Sequence, residues 1–318
     1  MLETKDIFEA MVIRSSKREF DCLIESSKEE VKAVCLREII KKDHIVVGDR
    51  VKIRLQINDS RYEIFEMIPR KNEIFRRIVR SNKKKVIASN IDLILIVASV
   101  SKPDYKPFLI DRYITRSVQW EIPALVIFNK MDQFEDQFDI DLEKKKFDQL
   151  GVNYFEVSNL EESSYFKNIT KLKSLLANKT TITLGQSGVG KSKLISSLSD
   201  GQIELLSSRL AKGIQKGAHT TSWAELIDLK TFYMIDSPGV RTLAVNDISN
   251  EELTSLFPDL LPHFSKCQFY DCRHEDNSKG CFFNTLELET DEELIIYSRL
   301  VAFLKMREEV EKIPDWQR

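Results

Sequence analysis

The sequence is poor in the residues that build irregular, fibrous or cross-linked chains. Ten glycines and eight prolines in 318 residues exclude a collagenous or low-complexity protein. Apolar residues at 42% beside charged residues at 31% exclude intrinsic disorder, because such a chain buries enough surface to offset the entropy of ordering. Long hydrophobic runs are missing. The longest, from Leu93 to Val100, falls far short of the roughly 20 residues that span a bilayer. The start MLETKDIFEA has neither a basic n-region nor an apolar h-region, so a cytoplasmic protein without membrane attachment is expected. Cysteines number five, an odd count that argues against a disulfide framework and for reduced thiols. Lys and Arg total 48 against 50 Asp and Glu, a net charge of −2, so nucleic-acid binding needs a local patch rather than a global field.

The length allows two or three domains, and the pattern changes character along it. The first ~70 residues alternate apolar and polar positions in five bursts, at Met11 to Ile13, Phe20 to Ile24, Val31 to Leu36, Val51 to Leu55 and Tyr62 to Ile68. Gly48-Asp49 and Asn58-Asp59 separate them as turn signals. A five-stranded barrel of the oligonucleotide-binding type is the economical expectation, and an SH3-like barrel gives much the same signal. From Pro69 to Lys85 eight Lys and Arg face one acid, Glu73. That run reads either as a solvated linker or as an RNA phosphate contact beside the barrel. From residue 86 to about 236 strands alternate with helical stretches, which predicts a mainly parallel sheet covered on both faces. Beyond Gly239 the chain is acidic and helical, ending in a helix from Asp291 to about Lys312 with Leu294, Tyr297, Val301 and Leu304 at helical spacing.

Gly185-Gln186-Ser187-Gly188-Val189-Gly190-Lys191-Ser192 fits G-x-x-x-x-G-K-[ST] between an apolar TITL strand and a KLISSL helix that opens with Lys191, Ser192 and Lys193. Glycines there let backbone N–H groups curl toward phosphate oxygens, and the helix N-terminus adds its positive dipole end. Lys191 is placed to bridge the β- and γ-phosphates, and the Ser192 hydroxyl to reach Mg²⁺. Asp236-Ser237-Pro238-Gly239 follows the FYMI strand; Asp236 would hold Mg²⁺ through water and the Gly239 N–H would sense the γ-phosphate. Asn129-Lys130-Met131-Asp132 follows the ALVIF strand, where a carboxylate accepts from the N1–H and N2–H₂ edge of guanine, a donor pair that adenine lacks. Ser158, after the YFEV strand, is a further candidate base contact. N-K-x-D thus precedes the phosphate loop, the reverse of the usual GTPase order, so the domain reads as circularly permuted. Permutation is tolerated where the original termini lie close together at the surface.

Cys267, Cys272, His274 and Cys281 supply three thiolates and an imidazole, a closed tetrahedral Zn²⁺ set with a structural role. His263 is a nearby alternative ligand.

With ASNID at 88–92, DRYIT at 111–115, GAHTTS at 217–222 and DSPGV at 236–240 added to these motifs, nearly the whole chain resembles the ribosome small-subunit-dependent GTPase A family (RsgA/YjeQ). The resemblance implies an α/β fold: a circularly permuted P-loop GTPase domain at 76–240, an OB-type barrel before it at 1–75, and a helical zinc-binding domain after it at 241–318. It implies hydrolysis of GTP to GDP and phosphate, stimulated by the small ribosomal subunit and its rRNA, late in that subunit's maturation. It also implies a monomer using one Zn²⁺ and a nucleotide-bound Mg²⁺. In GAHTTS either Thr220 or Thr221 completes the Mg²⁺ shell. His219 is the family's candidate for orienting the attacking water, because Val240 is apolar where many GTPases approach a Gln. The family pattern has one residue fewer between His274 and the last Cys, a Pro where Lys279 stands, and a Gly-containing loop near Glu38. Two other readings stay open on the residues alone, an RNA-binding assembly module with incidental hydrolysis and a P-loop ATPase or small-molecule kinase.

Overall fold

The computed structural model describes residues 6–16, 19–36, 44–56, 61–78, 83–199, 224–236, 245 and 247–312. The five apolar bursts form β1 (Ile7–Ser15), β2 (Glu19–Ile24), β3 (Glu30–Cys35), β4 (Arg50–Leu55) and β5 (Tyr62–Met67). Alternate residues point inward because the side-chain period of a strand is two, and Ala10, Val12, Phe20, Cys22, Ile24, Val51, Ile53 and Ile64 make the barrel core. β3 pairs parallel to β5, and β4 pairs back onto β1. The ring β1-β2-β3-β5-β4-β1 is the oligonucleotide-binding type. Of the two cysteines outside the 267–281 set, Cys22 is in this core, whereas Cys35 at the strand end is only half-buried.

The basic run is a β-hairpin rather than a linker: β6 (Glu73–Ile78) pairs antiparallel with β7 (Lys83–Ser89). Much of its charge is internally compensated. Arg70 lies on Asp49 at 2.7 Å and on Glu73 at 3.0 Å, Lys84 pairs with Glu73, and Arg77 pairs with Glu252. Arg76, Lys83 and Lys85 remain exposed. Asp49 is fully buried and accepts from Arg70, the Val46 N–H at 2.8 Å and the Ser89 hydroxyl at 2.7 Å. Asn90 donates to Gly48 O and accepts from Lys71 N, while Asn72 exchanges two bonds with the Ile91 backbone. The ASNID segment is therefore a clip that fastens barrel and hairpin to the next domain.

In that domain β8 (Leu93–Ser99), β9 (Ala124–Asn129), β10 (Asn153–Val157), β11 (Thr180–Leu184) and β13 (Tyr233–Asp236) run parallel in the order β10-β9-β8-β11-β13, with β12 (Glu225–Asp228) antiparallel at the edge. One face buries Ile94, Ile96, Val126 and Phe128 under α1 (Pro107–Gln119) and α2 (Ile140–Gln149). The other buries Leu95, Val97, Leu125 and Ile127 under α3 (Lys167–Leu176) and α4 (Lys191–Leu198). β12 meets barrel strand β1 at Arg14 and Glu225, whose side chains pair at 2.6 Å.

The last unit holds α5 (Asn250–Ser255), α6 (Leu261–Phe264) and α7 (Asp291–Glu311), the last opened by a Thr290/Glu293 capping box. α7 does not bury the face that its apolar spacing suggests. Tyr297 is exposed, and the buried residues are Ile295, Arg299, Leu300, Ala302, Phe303, Met306 and Val310. An arginine in the middle of the buried face disguised it. Arg299 forks onto Asp259 at 2.8 and 3.0 Å and reaches Asp111 of α1 at 2.9 Å. Asp111 lies 3.6 Å from Lys146 of α2, which pairs with Glu143 at 2.9 Å. Burial works against the charge on Arg299, but Asp111 and Asp259 outweigh it and raise its pKa. A second buried pair joins Arg116 to Asp247 at 2.5 Å.

Candidate functional site

Three sequence segments that are far apart meet at the C-terminal ends of the parallel strands, the edge where doubly wound sheets bind ligands. β9 delivers Asn129 to Asp132, β10 delivers Ser158, and β11 runs into the 185–192 loop, which opens directly into α4. α4 begins after Gly190 without a side-chain cap, which leaves backbone N–H groups of its first turn for a ligand to approach. Gly185 (φ +147°) and Gly190 (φ +94°) adopt left-handed backbone, and their place is sterically closed. A Cβ would stand 2.3 Å from Val97 O at the first and 2.5 Å from Asn129 Nδ2 at the second.

The loop is tied to the 129–132 segment by side chains. Asn129, fully buried, donates from Nδ2 to Val189 O at 2.9 Å. Lys130, itself left-handed at φ +66°, donates from Nζ to Gly188 O at 2.9 Å and to Lys102 O. Met131 is buried, and Asp132 is exposed at the mouth, with its Oδ1 accepting from Ser158 Oγ at 2.5 Å. Ser158 Oγ in turn accepts from Leu160 N at 3.1 Å. Lys191 arches back over the loop and donates to the carbonyls of Gly185 and Gln186, both at 2.7 Å. Ser187, Gly188, Ser192 and Lys193 are exposed around it, while Val189 anchors the loop in the core. β11 and β13 are in register at Ile182 and Ile235, so Asp236 ends a strand next to the one that enters Gly185. A hydroxyl at Ser192 and a carboxylate at Asp236 are hard oxygen donors suited to Mg²⁺. His219, Thr220, Thr221 and Gly239 lie outside the described residues. Asn159 and the Lys102 carbonyl joined the site without being singled out beforehand; the only sequence signal for Asn159 is its position directly after Ser158.

In the last unit, the ligand atoms of Cys267, Cys272, His274 and Cys281 lie within 4.8 Å of one another. His274 Nδ1 is 3.4 Å from Cys267 Sγ and 3.9 Å from Cys281 Sγ. Ligand edges of about 3.5–4 Å are what tetrahedral Zn–S and Zn–N bonds of about 2.3 and 2.0 Å require, so the donors fit zinc. Burial pushes the Cys281 thiol up to about 11 and lowers the His274 pKa. Phe264 stacks on His274 at 4.4 Å and Phe283 meets its edge at 5.3 Å, which fixes the ring plane. His263, the alternative ligand, stacks on Phe282 at 5.5 Å instead.

A family model described as RsgA GTPase matches residues 67–246. The chain is 30% identical over 282 residues to the small ribosomal subunit biogenesis GTPase RsgA of Flavobacterium psychrophilum, covering 86% of this chain and 83% of that protein. Its identity to the protein of the same name from Hahella chejuensis is 35% over 273 residues, covering 85% and 75%. Among solved structures, YjeQ from Thermotoga maritima has a TM-score of 0.71 at 24% identity, over 97% of this chain and 100% of that one, a likeness of fold. YloQ, described as a circularly permuted GTPase, has a TM-score of 0.67 at 26% identity over 99% of both chains. Among the described residues, no helix is long and apolar enough to cross a membrane.

Proposed function

The chain belongs to the RsgA GTPase family and is a GTP hydrolase, and from that premise we propose that it hydrolyses GTP to GDP and phosphate when engaged by the small ribosomal subunit, in whose late maturation it acts as a cytoplasmic monomer. The observation that carries this reading is the convergence of residues 129–132, 158 and 185–192 at one sheet edge, cross-tied by Asn129 and Lys130 to the loop carbonyls. Asp132, held by Ser158, pairs with the guanine N1–H and N2–H₂ edge. Lys191 exchanges its loop carbonyls for the β- and γ-phosphate oxygens, and the N–H groups of 186–193 surround the phosphates. The Ser192 hydroxyl and, through water, Asp236 would hold Mg²⁺, which would neutralise charge on the transferring phosphoryl group. By the family resemblance the Gly239 N–H would sense the γ-phosphate, one of Thr220 and Thr221 would complete the Mg²⁺ shell, and His219 would accept a hydrogen bond from the attacking water. Arg76, Lys83 and Lys85 on the hairpin, beside the oligonucleotide-binding type barrel, supply cations for rRNA phosphates. The zinc set is structural, because all four positions are filled by protein.

The decisive measurement is GTP turnover with and without purified small subunits. Stimulation is expected, and its absence would remove the ribosomal assignment while leaving the GTPase assignment in place. His219→Ala is expected to bind GTP normally and lose the stimulated rate; an undiminished stimulated rate would reject its role.

A further inference from the structure

We infer that Asn159 is a positioning residue for guanine nucleotide, acting through Asn129; this rests on the reading of 129–132 and 158 as the guanine site. The backbone of a β-strand places Val157 inward and leaves Ser158 and Asn159 on the turn that leaves the sheet. From there Asn159 Nδ2 donates to Asn129 Oδ1 at 2.9 Å. Asn129 Nδ2 is already committed to Val189 O at 2.9 Å. A primary amide has one acceptor end and one donor end, so the two bonds together fix which way the Asn129 amide faces. Asn159 Oδ1, by contrast, is buried with no hydrogen-bond partner among the described residues. An orphaned buried acceptor is costly and calls for an explanation in a native structure. The geometry supplies one: the carboxamide is held in place for its donor end, at the expense of its acceptor.

The consequence is a three-residue tie, Asn159 to Asn129 to Val189, that links the strand end carrying Ser158 to the middle of the phosphate loop. The Asn129 amide fills the space that a side chain at position 190 would need, its Nδ2 lying 2.5 Å from where a Cβ on Gly190 would be. The two neighbours of the base-side turn then divide the work. Ser158 orients the Asp132 carboxylate, and Asn159 orients Asn129 and through it the loop carbonyl at 189. Base recognition and phosphate binding share one rigid frame. Loosening that frame should raise the dissociation rate of nucleotide more than it slows the chemical step, because the Asn159 carboxamide bonds Asn129 and not Lys191, Ser192 or Asp236, the residues read as serving the phosphates and Mg²⁺.

Asn159→Asp tests this with no change in size. The carboxylate cannot donate to Asn129 Oδ1 and competes with Val189 O for Asn129 Nδ2. The dissociation rate of a fluorescent GDP analogue is expected to rise about 5- to 30-fold, as loss of one buried hydrogen bond implies. The KM for GTP should rise in parallel while kcat at saturating GTP stays within about twofold. Asn159→Ala and Asn129→Ala should be strongly non-additive in nucleotide affinity, and thermal stability of the nucleotide-free protein serves as the control for folding. Wild-type release kinetics in Asn159→Asp, or additive effects in the double variant, would overturn the inference. A wild-type protein that fails to bind guanine nucleotide would instead overturn the reading of the site.

Discussion

Replacing Arg299 should cost more than neutralising its partner Asp111, although the two share one ion pair. Arg299 and Asp111 are 2% and 1% exposed at 2.9 Å. The network, with Asp259 at its half-buried rim, holds three carboxylates, on Asp111, Asp259 and Glu143, against two cations, on Arg299 and Lys146. Asp111→Asn leaves each cation one carboxylate, Arg299 on Asp259 and Lys146 on Glu143, and keeps the shape of the site. The loss is about one charge-assisted hydrogen bond, roughly 1.5–3 kcal/mol. Arg299→Met leaves three carboxylates with a single ammonium and removes the guanidinium from the ring of Phe257, 4.5 Å away. Stripping one partner from a buried pair costs about 3–5 kcal/mol, and the surplus negative charge places this variant at the upper end. Urea midpoints with unchanged slopes, followed by circular dichroism, measure both. The double variant Asp111→Leu, Arg299→Met should recover part of the loss, because it removes charges in pairs. Equal costs for the two single variants, or a larger cost for Asp111→Asn, would refute the charge accounting.

Asp132→Asn should exchange guanine for xanthine preference, since a carboxamide can donate to the C2 carbonyl of xanthine; binding of GTP and XTP should move in opposite directions by about 10- to 100-fold each. Cys281→Ala should lose stoichiometric zinc on metal analysis, and full retention would reject Cys281 as a ligand. Burial raises the Glu73 pKa, but Lys84 and Arg70 outweigh it and hold the carboxyl below 4.5. Its contribution is thus present above that value and lost as pH falls through the lower folded one. Glu73→Gln should flatten the acid limb of stability below about pH 4.5, and an unchanged limb would show that the hairpin pairs are not maintained in solution.

Much of this architecture is legible in the sequence because the signals are local. Five alternating bursts give five barrel strands, and the TITL and KLISSL stretches bracket the phosphate loop as β11 and α4. What is not legible depends on partners distant in the chain. The hairpin at 73–89 was disguised by its charge, since nothing local shows that Arg70 folds onto Asp49 or that Arg77 reaches Glu252. The buried face of α7 was disguised in the same way by Arg299. In DRYIT, Asp111 looks like a surface acid on an amphipathic helix until the cations that enclose it are in place. Asn159 gave no signal beyond its neighbour, because its significance lies in an amide across the strand end.

The single rung between β1 and β12 has a consequence for solubility. β12 is the outer strand of the nucleotide-binding sheet, and a bare outer strand offers unpaired N–H and C=O groups as a template for another chain. Here the barrel stands against it, with Arg14 clasping Glu225 and Lys28 reaching the Tyr233 hydroxyl at 3.2 Å. The barrel thereby occupies the Glu225 end of that outer strand. A nucleotide-binding domain expressed without the barrel should self-associate more readily through β12, because the Glu225 end of that strand is then no longer occupied.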